Sequence, residues 1–274
     1  MAKCSICGRE AFYYRQYSGH NLCPRCLERM LSKAVRRRIA RLALGRRITV
    51  AVPLYRHDPW GSLVAARIVG RIEKKFESKV VLLTPDDYSR ALADMEIDGV
   101  EVVEARVPLS NVDSLVHCIR HERAWAIKEA LNHGTTVLVD SVNRDQMVLA
   151  ALEALLQGRP EGVSEALPLL EVRGLRIVHA FANVEAEAVT ALAYALGYTL
   201  LEPKCKAHSL AKRVYLRVAR GRPELLFSSV KVFSKLSESA PAERCIVCGG
   251  YGGPVCVYCR ESGASRLLDF YERE

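Results

Sequence analysis

Residues 48–63 read ITVAVPLYRHDPWGSL, a short apolar run followed by a polar loop and the start of a helical pattern. Further apolar runs follow, and helical patterns lie near 61–77, 112–133, 143–157 and 183–196. The five predicted strands are 48–53, 79–84, 100–105, 135–140 and 175–181. Continuously apolar strands that alternate with helices indicate a parallel sheet covered on both faces. We therefore predict a doubly wound α/β fold with a five-stranded parallel sheet.

The loop after the first strand is the expected ligand site, because such sheets bind ligands beyond the carboxyl ends of their strands. A nucleotide site there normally contains glycines, whose N–H groups approach the phosphates. This loop has instead two prolines, which lack that donor, and bulky side chains. Gly61 and Ser62 keep the character of a phosphate-binding helix start. Ser62 is the candidate cofactor-binding residue, and an ordinary helix N-cap is the alternative.

Eight of the ten cysteines fall into two sets of paired Cys-x-x-Cys motifs, one near each end of the sequence. The sets are Cys4, Cys7, Cys23 and Cys26, and Cys245, Cys248, Cys256 and Cys259. Two such turns complete the tetrahedral four-sulfur shell that Zn²⁺ prefers. We predict a structural zinc site at each set, with the glycines after Cys248 forming the tight turns of a zinc knuckle.

The alternative to zinc is a disulfide framework. The start of the sequence has no apolar signal core, and no stretch is long enough to cross a bilayer. We therefore expect a cytoplasmic protein with reduced thiols and no membrane partner. The remaining cysteines, Cys118 and Cys205, are a candidate catalytic or redox pair, and inert buried thiols are the alternative. His121, Glu122, Arg123 and Trp125 indicate a surface cluster on a helix.

The formal charge of +9 is concentrated in two segments, 29–47 and 204–222, which contain Lys and Arg but no acidic residue. Unopposed positive charge favours a polyanion, nucleic acid first, over a solvated basic helix face. The candidate nucleic-acid contacts are Lys33, Arg36, Arg37, Arg38, Arg41, Arg46, Arg47, Lys204, Lys206, Lys212, Arg213, Arg217 and Arg220. Near the first cysteine set, Tyr13, Tyr14 and Tyr17 can stack on unpaired bases or pack around the metal.

These features divide the chain into four predicted regions. Residues 1–46 form a zinc module and a basic helix, and 47–202 form the α/β domain. Residues 203–240 form a basic helical region, and 241–274 form a zinc knuckle with a short helix.

In this order the elements resemble those of the tRNA 2-thiouridine synthetases, the two-zinc group of PP-loop ATP pyrophosphatases. The resemblance covers nearly the whole chain. It implies a fold like that of the adenine nucleotide alpha hydrolases and tRNA as the substrate. It also implies ATP bound by a Ser-Gly-Gly-x-Asp-Ser loop, adenylation of a uridine C2 oxygen, and sulfur from a ubiquitin-like carrier. Many members hold an iron–sulfur cluster on three cysteines.

The chain departs from this pattern at the residues that carry the chemistry. In an alignment with the family's Ser-Gly-Gly-x-Asp-Ser loop, Ser62 matches the final serine. Gly61 stands in place of the aspartate, and Asp58 and Pro59 stand in place of the glycine pair. Cys118 and Cys205 match two cluster cysteines, and Leu115 falls at the third. The family's Gly-His-Asn-x-Asp-Asp stretch aligns with 140–145, where Asp145 is kept and Asp140 and Ser141 replace Gly-His. The residues present therefore argue against ATP and a cluster, although His117 is an alternative ligand beside Cys118.

Two functions follow from these observations. The first is a tRNA-binding, non-catalytic paralogue that supports uridine 2-thiolation, with an active homologue or a second copy as partner. The second is an active ATP-dependent tRNA sulfurtransferase that uses a divergent loop and Cys205. A zinc-stabilised scaffold for proteins alone is a third, which the basic segments disfavour.

Overall fold

The computed structural model describes residues 2–42, 47–93, 95–108, 114–199, 201–205, 209–222, 224–239 and 243–267. In this part of the chain, the strands are β1 (Tyr13–Arg15), β2 (His20–Leu22), β3 (Thr49–Pro53), β4 (Lys79–Pro85), β5 (Glu101–Ala105), β6 (Val137–Asn143), β7 (Leu169–Val172) and β8 (Leu175–Phe181). The helices are α1 (Pro24–Ile39), α2 (Pro59–Glu73), α3 (Asp86–Leu92), α4 (Leu115–Asn132), α5 (Arg144–Leu156), α6 (Ala186–Ala195), α7 (Ser209–Gly221), α8 (Glu224–Ser239) and α9 (Val257–Glu261).

The central sheet has six strands in the order β5-β4-β3-β6-β8-β7, with parallel pairing throughout except between β7 and β8. The α/β class with a parallel sheet is confirmed, and the count of five strands was wrong. The extra strand, β7, forms an antiparallel hairpin with β8 through Arg173 and Gly174, which have φ values of 51° and 76°. Two positive φ angles are typical of the tight turn that joins twisted hairpin strands.

Helices cover both faces of the sheet, as predicted. On one face, α1, α2 and α6 pack against alternate residues of β3 and β4, such as Val52 and Leu82. On the other face, α4 packs against the intervening residues, such as Ala51 and Leu83. This division follows from the two-residue period of a strand, which sends successive side chains to opposite faces. Among the described helices, none has both the length and the apolarity needed to span a membrane.

The C-terminal cysteine module docks on α4 through a buried ion cluster. Glu165 accepts hydrogen bonds from Arg120 Nε at 2.8 Å and from Arg123 Nη2 at 2.7 Å, and all three side chains are fully buried. The same arginines reach the module, since Arg120 donates to Tyr251 O and Arg123 donates to Cys248 O, each at 2.9 Å. The α/β domain and the C-terminal module therefore share one core.

The winding of the sheet reverses between β3 and β6, since β4 and β5 lie on one side of this pair and β8 and β7 on the other. Ligands of open α/β sheets bind at such a switch point, beyond the carboxyl ends of the strands. In this fold the switch point contains the loop 54–58, the start of α2 and the start of α5.

Candidate functional site

A carboxylate of the protein occupies the start of α2. Asp58 Oδ1 accepts a hydrogen bond from Gly61 N, and Asp58 Oδ2 accepts one from Gln146 Nε2 in α5, each at 2.9 Å. The next residue, Pro59, has no N–H, and removal of the Asp58 carboxyl from solvent raises its pKa. A helix N-terminus attracts anions. Here the anion is the side chain of Asp58, in the place where a nucleotide phosphate would bind.

The hydroxyl of Ser62 is fully used inside the protein. Ser62 Oγ lies 2.8 Å from Asp58 O, 3.0 Å from Tyr55 N and 3.0 Å from Ser141 Oγ. A serine hydroxyl offers one donor and two acceptor lone pairs, and these three partners account for all of them. Ser62 therefore ties the loop to β6, and its role in binding a cofactor stays a prediction.

The loop is also tethered to α4 by Glu122. The Glu122 carboxylate accepts hydrogen bonds from Arg56 N at 2.8 Å and His57 N at 3.3 Å, and it pairs with His57 Nδ1. Burial by itself lowers the pKa of His57, but the adjacent Glu122 outweighs it and the pKa is raised. The prediction of a surface cluster on this helix was wrong, because His121, Glu122, Arg123 and Trp125 are all buried. One face of α4 packs on the apolar residues of the sheet. Its polar side chains are buried between the loop 54–58 and the C-terminal module.

Cys118 and Cys205 are adjacent in space although 87 residues separate them. Their Cα atoms are 6.4 Å apart and their sulfur atoms are within bonding distance. Cys118 lies in the first turn of α4, and Cys205 ends the segment 201–205. The predicted pair is thus brought together at the carboxyl edge of the sheet, next to the loop 54–58. Its catalytic or redox role stays a prediction.

The segment 201–205 is held over this edge by several contacts. Leu201 O accepts from Trp60 Nε1 and Glu202 O accepts from Tyr88 OH, each at 2.6 Å. Lys204 N donates to Arg56 O at 2.8 Å, and Lys204 Nζ pairs with Asp87. Residues of α2, α3 and the loop 54–58 thus hold Cys205 against α4. No sequence motif indicated these contacts.

The His117 ring next to Cys118 is bound on both sides by other residues. Its Nδ1 lies 2.9 Å from Ser114 Oγ, and its Nε2 lies 2.8 Å from Glu261 Oε2. Burial lowers the pKa of His117. Both ring nitrogens therefore have partners, and the alternative of His117 as a ligand beside Cys118 receives no support from the geometry.

The two terminal cysteine sets have the geometry of metal sites. Within each set, the four sulfur atoms lie within 4.8 Å of one another. The Cys7–Cys23, Cys245–Cys259 and Cys248–Cys256 sulfur pairs are 3.6, 3.8 and 3.8 Å apart. A tetrahedral shell with Zn–S bonds near 2.3 Å requires about 3.8 Å between sulfurs. Each set can therefore hold one metal ion, and the φ of 75° at Gly249 makes the predicted tight turn of the second.

The predicted nucleic-acid contacts are mostly exposed. Exposed members without an ion pair in the described structure are Lys33, Arg36, Arg37, Arg41, Lys212, Arg213, Arg217 and Arg220. Arg38 is partly buried, which lowers its pKa. Arg47 pairs with Glu77 at 2.9 Å and Lys204 pairs with Asp87, partners that are distant in sequence. Arg46 and Lys206 lie outside the described residues.

The end of the first basic segment and helix α7 of the second lie toward opposite ends of the parallel strands. After α1, Leu42 O accepts a hydrogen bond from Arg176 Nη1 at 2.8 Å, and Arg176 is at the amino end of β8. In contrast, α7 lines a cavity together with Arg144 and Asp145, which follow the carboxyl end of β6. Cations near the end of α1 are therefore separated from those of α7 by the length of the strands.

Two comparisons with known proteins agree on the relationship. Residues 3–28 match the family model of the N-terminal LIM domain of the 2-thiouridine synthetase TtuA. The whole fold is similar to the U34-tRNA thiolase NcsA from Methanococcus maripaludis, solved with its 4Fe-4S cluster. The match has a TM-score of 0.72 at 20% identity and covers 96% of each chain. The structural match confirms the predicted fold, and the family model confirms the predicted resemblance to 2-thiouridine synthetases over residues 3–28.

Other similarities are weaker. An NAD+ synthetase from Burkholderia pseudomallei matches with a TM-score of 0.39 at 14% identity, over 79% of this chain and 94% of that one. No curated protein sequence is significantly similar to this chain.

Proposed function

We infer that this chain belongs to the tRNA thiouridine synthetases, and we propose that it binds tRNA without forming the family's ATP site. The single observation that carries the second part is the position of the Asp58 carboxylate at the start of α2. A nucleotide phosphate would meet a like charge and a proline there, instead of free N–H groups. The proposed partner in thiolation is an active homologue or a second copy of this chain.

We propose zinc for both terminal cysteine sets, because four thiolates leave no open coordination position and suit a structural ion. The related thiolase is solved with a 4Fe-4S cluster, so iron is the alternative to consider at the edge of the sheet. Eight of the ten cysteines belong to the terminal sets, which leaves two cysteines, Cys118 and Cys205, at that edge. Two cysteines do not complete a three-cysteine cluster site, and iron analysis of the purified protein tests this.

Binding of tRNA is expected to weaken steeply as salt rises, because each phosphate neutralised by Lys or Arg releases counterions. Replacing both Arg36 and Arg37 by alanine should lower the slope of log affinity against log salt by about 2, or about 1 per lost phosphate contact. Gel-shift titrations at several salt concentrations measure the slope. The matched control is Lys75→Ala, an exposed lysine outside the basic segments, which should leave it unchanged.

A weak interaction that is insensitive to salt would contradict tRNA binding by these segments. If the double variant binds tRNA tightly with an unchanged salt slope, the basic face of α1 is solvated and does not contact the RNA. The contact would then lie on α7.

Saturating Mg²⁺–ATP is expected to leave the thermal unfolding midpoint unchanged. A ligand present at 100 times its Kd would stabilise the folded state by about 2.7 kcal/mol, which a thermal scan detects. The scan is run with tRNA absent, and zinc content is measured on the same sample. A clear upward shift would refute the proposed loss of the ATP site.

Such a shift would favour the second candidate, an active tRNA sulfurtransferase. The observation in its favour is the contact of Cys118 with Cys205 beside the loop 54–58. This candidate further requires 2-thiouridine to form in tRNA supplied with ATP and a sulfur donor, and to disappear in Cys205→Ala.

A further inference from the structure

A cavity at the carboxyl edge of the sheet has no part in the proposals above. We propose that it binds one unpaired nucleobase of the RNA, an inference that rests on the proposed tRNA binding. The cavity has a volume of about 270 Å³. Its walls come from the N-terminal zinc module, the starts of α5 and α6, and the helices α7 and α8. None of its described lining residues belongs to the loop 54–58, so it is separate from the crevice at Asp58.

The floor of the cavity is polar and rigid. Arg144, Asp145 and Glu185 are 5%, 8% and 6% exposed. Arg144 Nε donates to Asp145 Oδ1 at 2.8 Å, and Asp145 Oδ2 accepts from Ala186 N at 2.7 Å. Glu185 Oε2 accepts from Arg15 Nη2 at 3.0 Å. Asp145 Oδ1 also lies 2.8 Å from Arg144 Nη2, and Tyr215 bonds Asp145, so the acceptor positions of Asp145 are in use. Glu185 is bonded by Arg15 Nε and Nη2, and because a carboxylate has about four acceptor positions, it retains the capacity to accept an N–H group from the edge of a base.

The walls supply aromatic rings. Tyr13, Tyr17 and Tyr215 line the cavity, and the Tyr17 ring is 54% exposed at its mouth. The Tyr17 ring packs on Phe227 with 4.3 Å between centroids, and the Arg15 guanidinium lies 5.8 Å from the centre of the same ring, so the ring is held in place. Burial, and then the nearby carboxylates, raise the pKa values of Tyr13 and Tyr215, so both hydroxyls remain donors at neutral pH. Unpaired bases are recognised by rings of this kind together with hydrogen bonds to their edges.

The charges separate the base from its phosphates. Arg144 and Arg15 pair with Asp145 and Glu185, and Glu187 leaves the lining with an excess of negative charge that repels phosphate, so the sugar-phosphate backbone stays outside. On α7, Lys212, Leu216 and Arg220 are exposed and follow at four-residue intervals, and Leu216 lies at the cavity. At 1.5 Å per residue, the two cations are about 12 Å apart along the helix. They thus lie on either side of the mouth, where they can hold the phosphates that flank one inserted nucleotide.

The test is the affinity of labelled tRNA for five variants at one salt concentration. Tyr17→Ala should weaken binding about tenfold, as expected for the loss of one stacked base, and Tyr17→Phe should restore it. Tyr14→Ala is the matched control, because Tyr14 lies in the same module with 56% exposure but does not line the cavity. Its affinity should match that of the unchanged protein.

A second pair of variants avoids the zinc module. Leu216→Glu places a carboxylate at the mouth, and Val214→Glu places the same charge on another face of α7 with almost the same exposure, 38% against 39%. Leu216→Glu should weaken binding more than Val214→Glu. Equal losses in this pair, together with equal affinities of Tyr17→Ala and Tyr14→Ala, would overturn the base-binding site while leaving tRNA binding intact. No salt-dependent binding by the unchanged protein would instead refute the proposed function.

Discussion

Replacing Cys248 by serine is expected to reduce the bound metal from two ions per chain to one and to unfold the C-terminal module. Metal binding to four thiolates contributes about 10–16 kcal/mol in isolated zinc modules, which matches or exceeds the whole stability of a typical domain. The four sulfur atoms of this set are fully buried in a core shared with α4 and α5. Loss of the ion should therefore lower the unfolding temperature of the whole chain.

Elemental analysis and thermal unfolding of the same samples measure both effects. Cys205→Ser is the matched control, since it removes a thiol outside both sets and should keep two ions bound. Two ions retained in Cys248→Ser would contradict the role of Cys248 as a metal ligand, and iron in place of zinc would refute the proposed metal identity.

Replacing Glu165 by alanine is expected to destabilise the protein by about 3–5 kcal/mol, the usual cost of leaving a buried charge unpaired. Glu165 is the carboxylate between Arg120 and Arg123, and none of the three side chains is exposed. Without it, two buried guanidinium groups lose their counter-ion at the junction of α4 with the C-terminal module. Urea unfolding measures the change in free energy.

Glu171→Ala is the control for this experiment, because Glu171 is exposed on the edge strand β7 and its loss should change the free energy of unfolding by less than about 0.5 kcal/mol. If the two variants are equally stable, the buried ion cluster contributes no net stability. If Glu165→Ala loses stability but keeps its metal, the loss comes from the buried ion cluster and not from the metal site.

The fold was largely predictable from the sequence because its parallel strands are buried on both faces and appear as uniform apolar runs. The predicted strand at 175–181 matches β8, and the predicted helix at 143–157 contains α5. The edge strand β7 was missed for a physical reason. It is a four-residue strand, Leu169 at its start is 45% exposed, and its turn is Arg-Gly instead of the usual Asn-Gly.

The site was only partly predictable, because its contacts join residues far apart in the sequence. The cysteine sets were found from local spacing, which a metal ion imposes within a few residues. In contrast, Gln146 reaches Asp58 across 88 positions, and Glu122 reaches Arg56 across 66. A run of basic residues likewise does not show that Glu77 neutralises Arg47. Such pairs depend on which helix covers which strand, and no local pattern contains that information.

The docking of the C-terminal module on α4 has a consequence for the order in which the chain matures. Glu165 is synthesised about 40 residues after Arg120 and Arg123, but two further acceptors of these arginines, Tyr251 O and Cys248 O, are synthesised more than 120 residues after them. In a nascent chain that ends before these carbonyls, water must take their place on the two guanidinium groups. The side of α4 that the C-terminal module covers then stays exposed. We therefore expect the domain to stay open during translation until the last cysteine set has emerged and taken up its metal. Metal supply would then limit how quickly the complete fold appears.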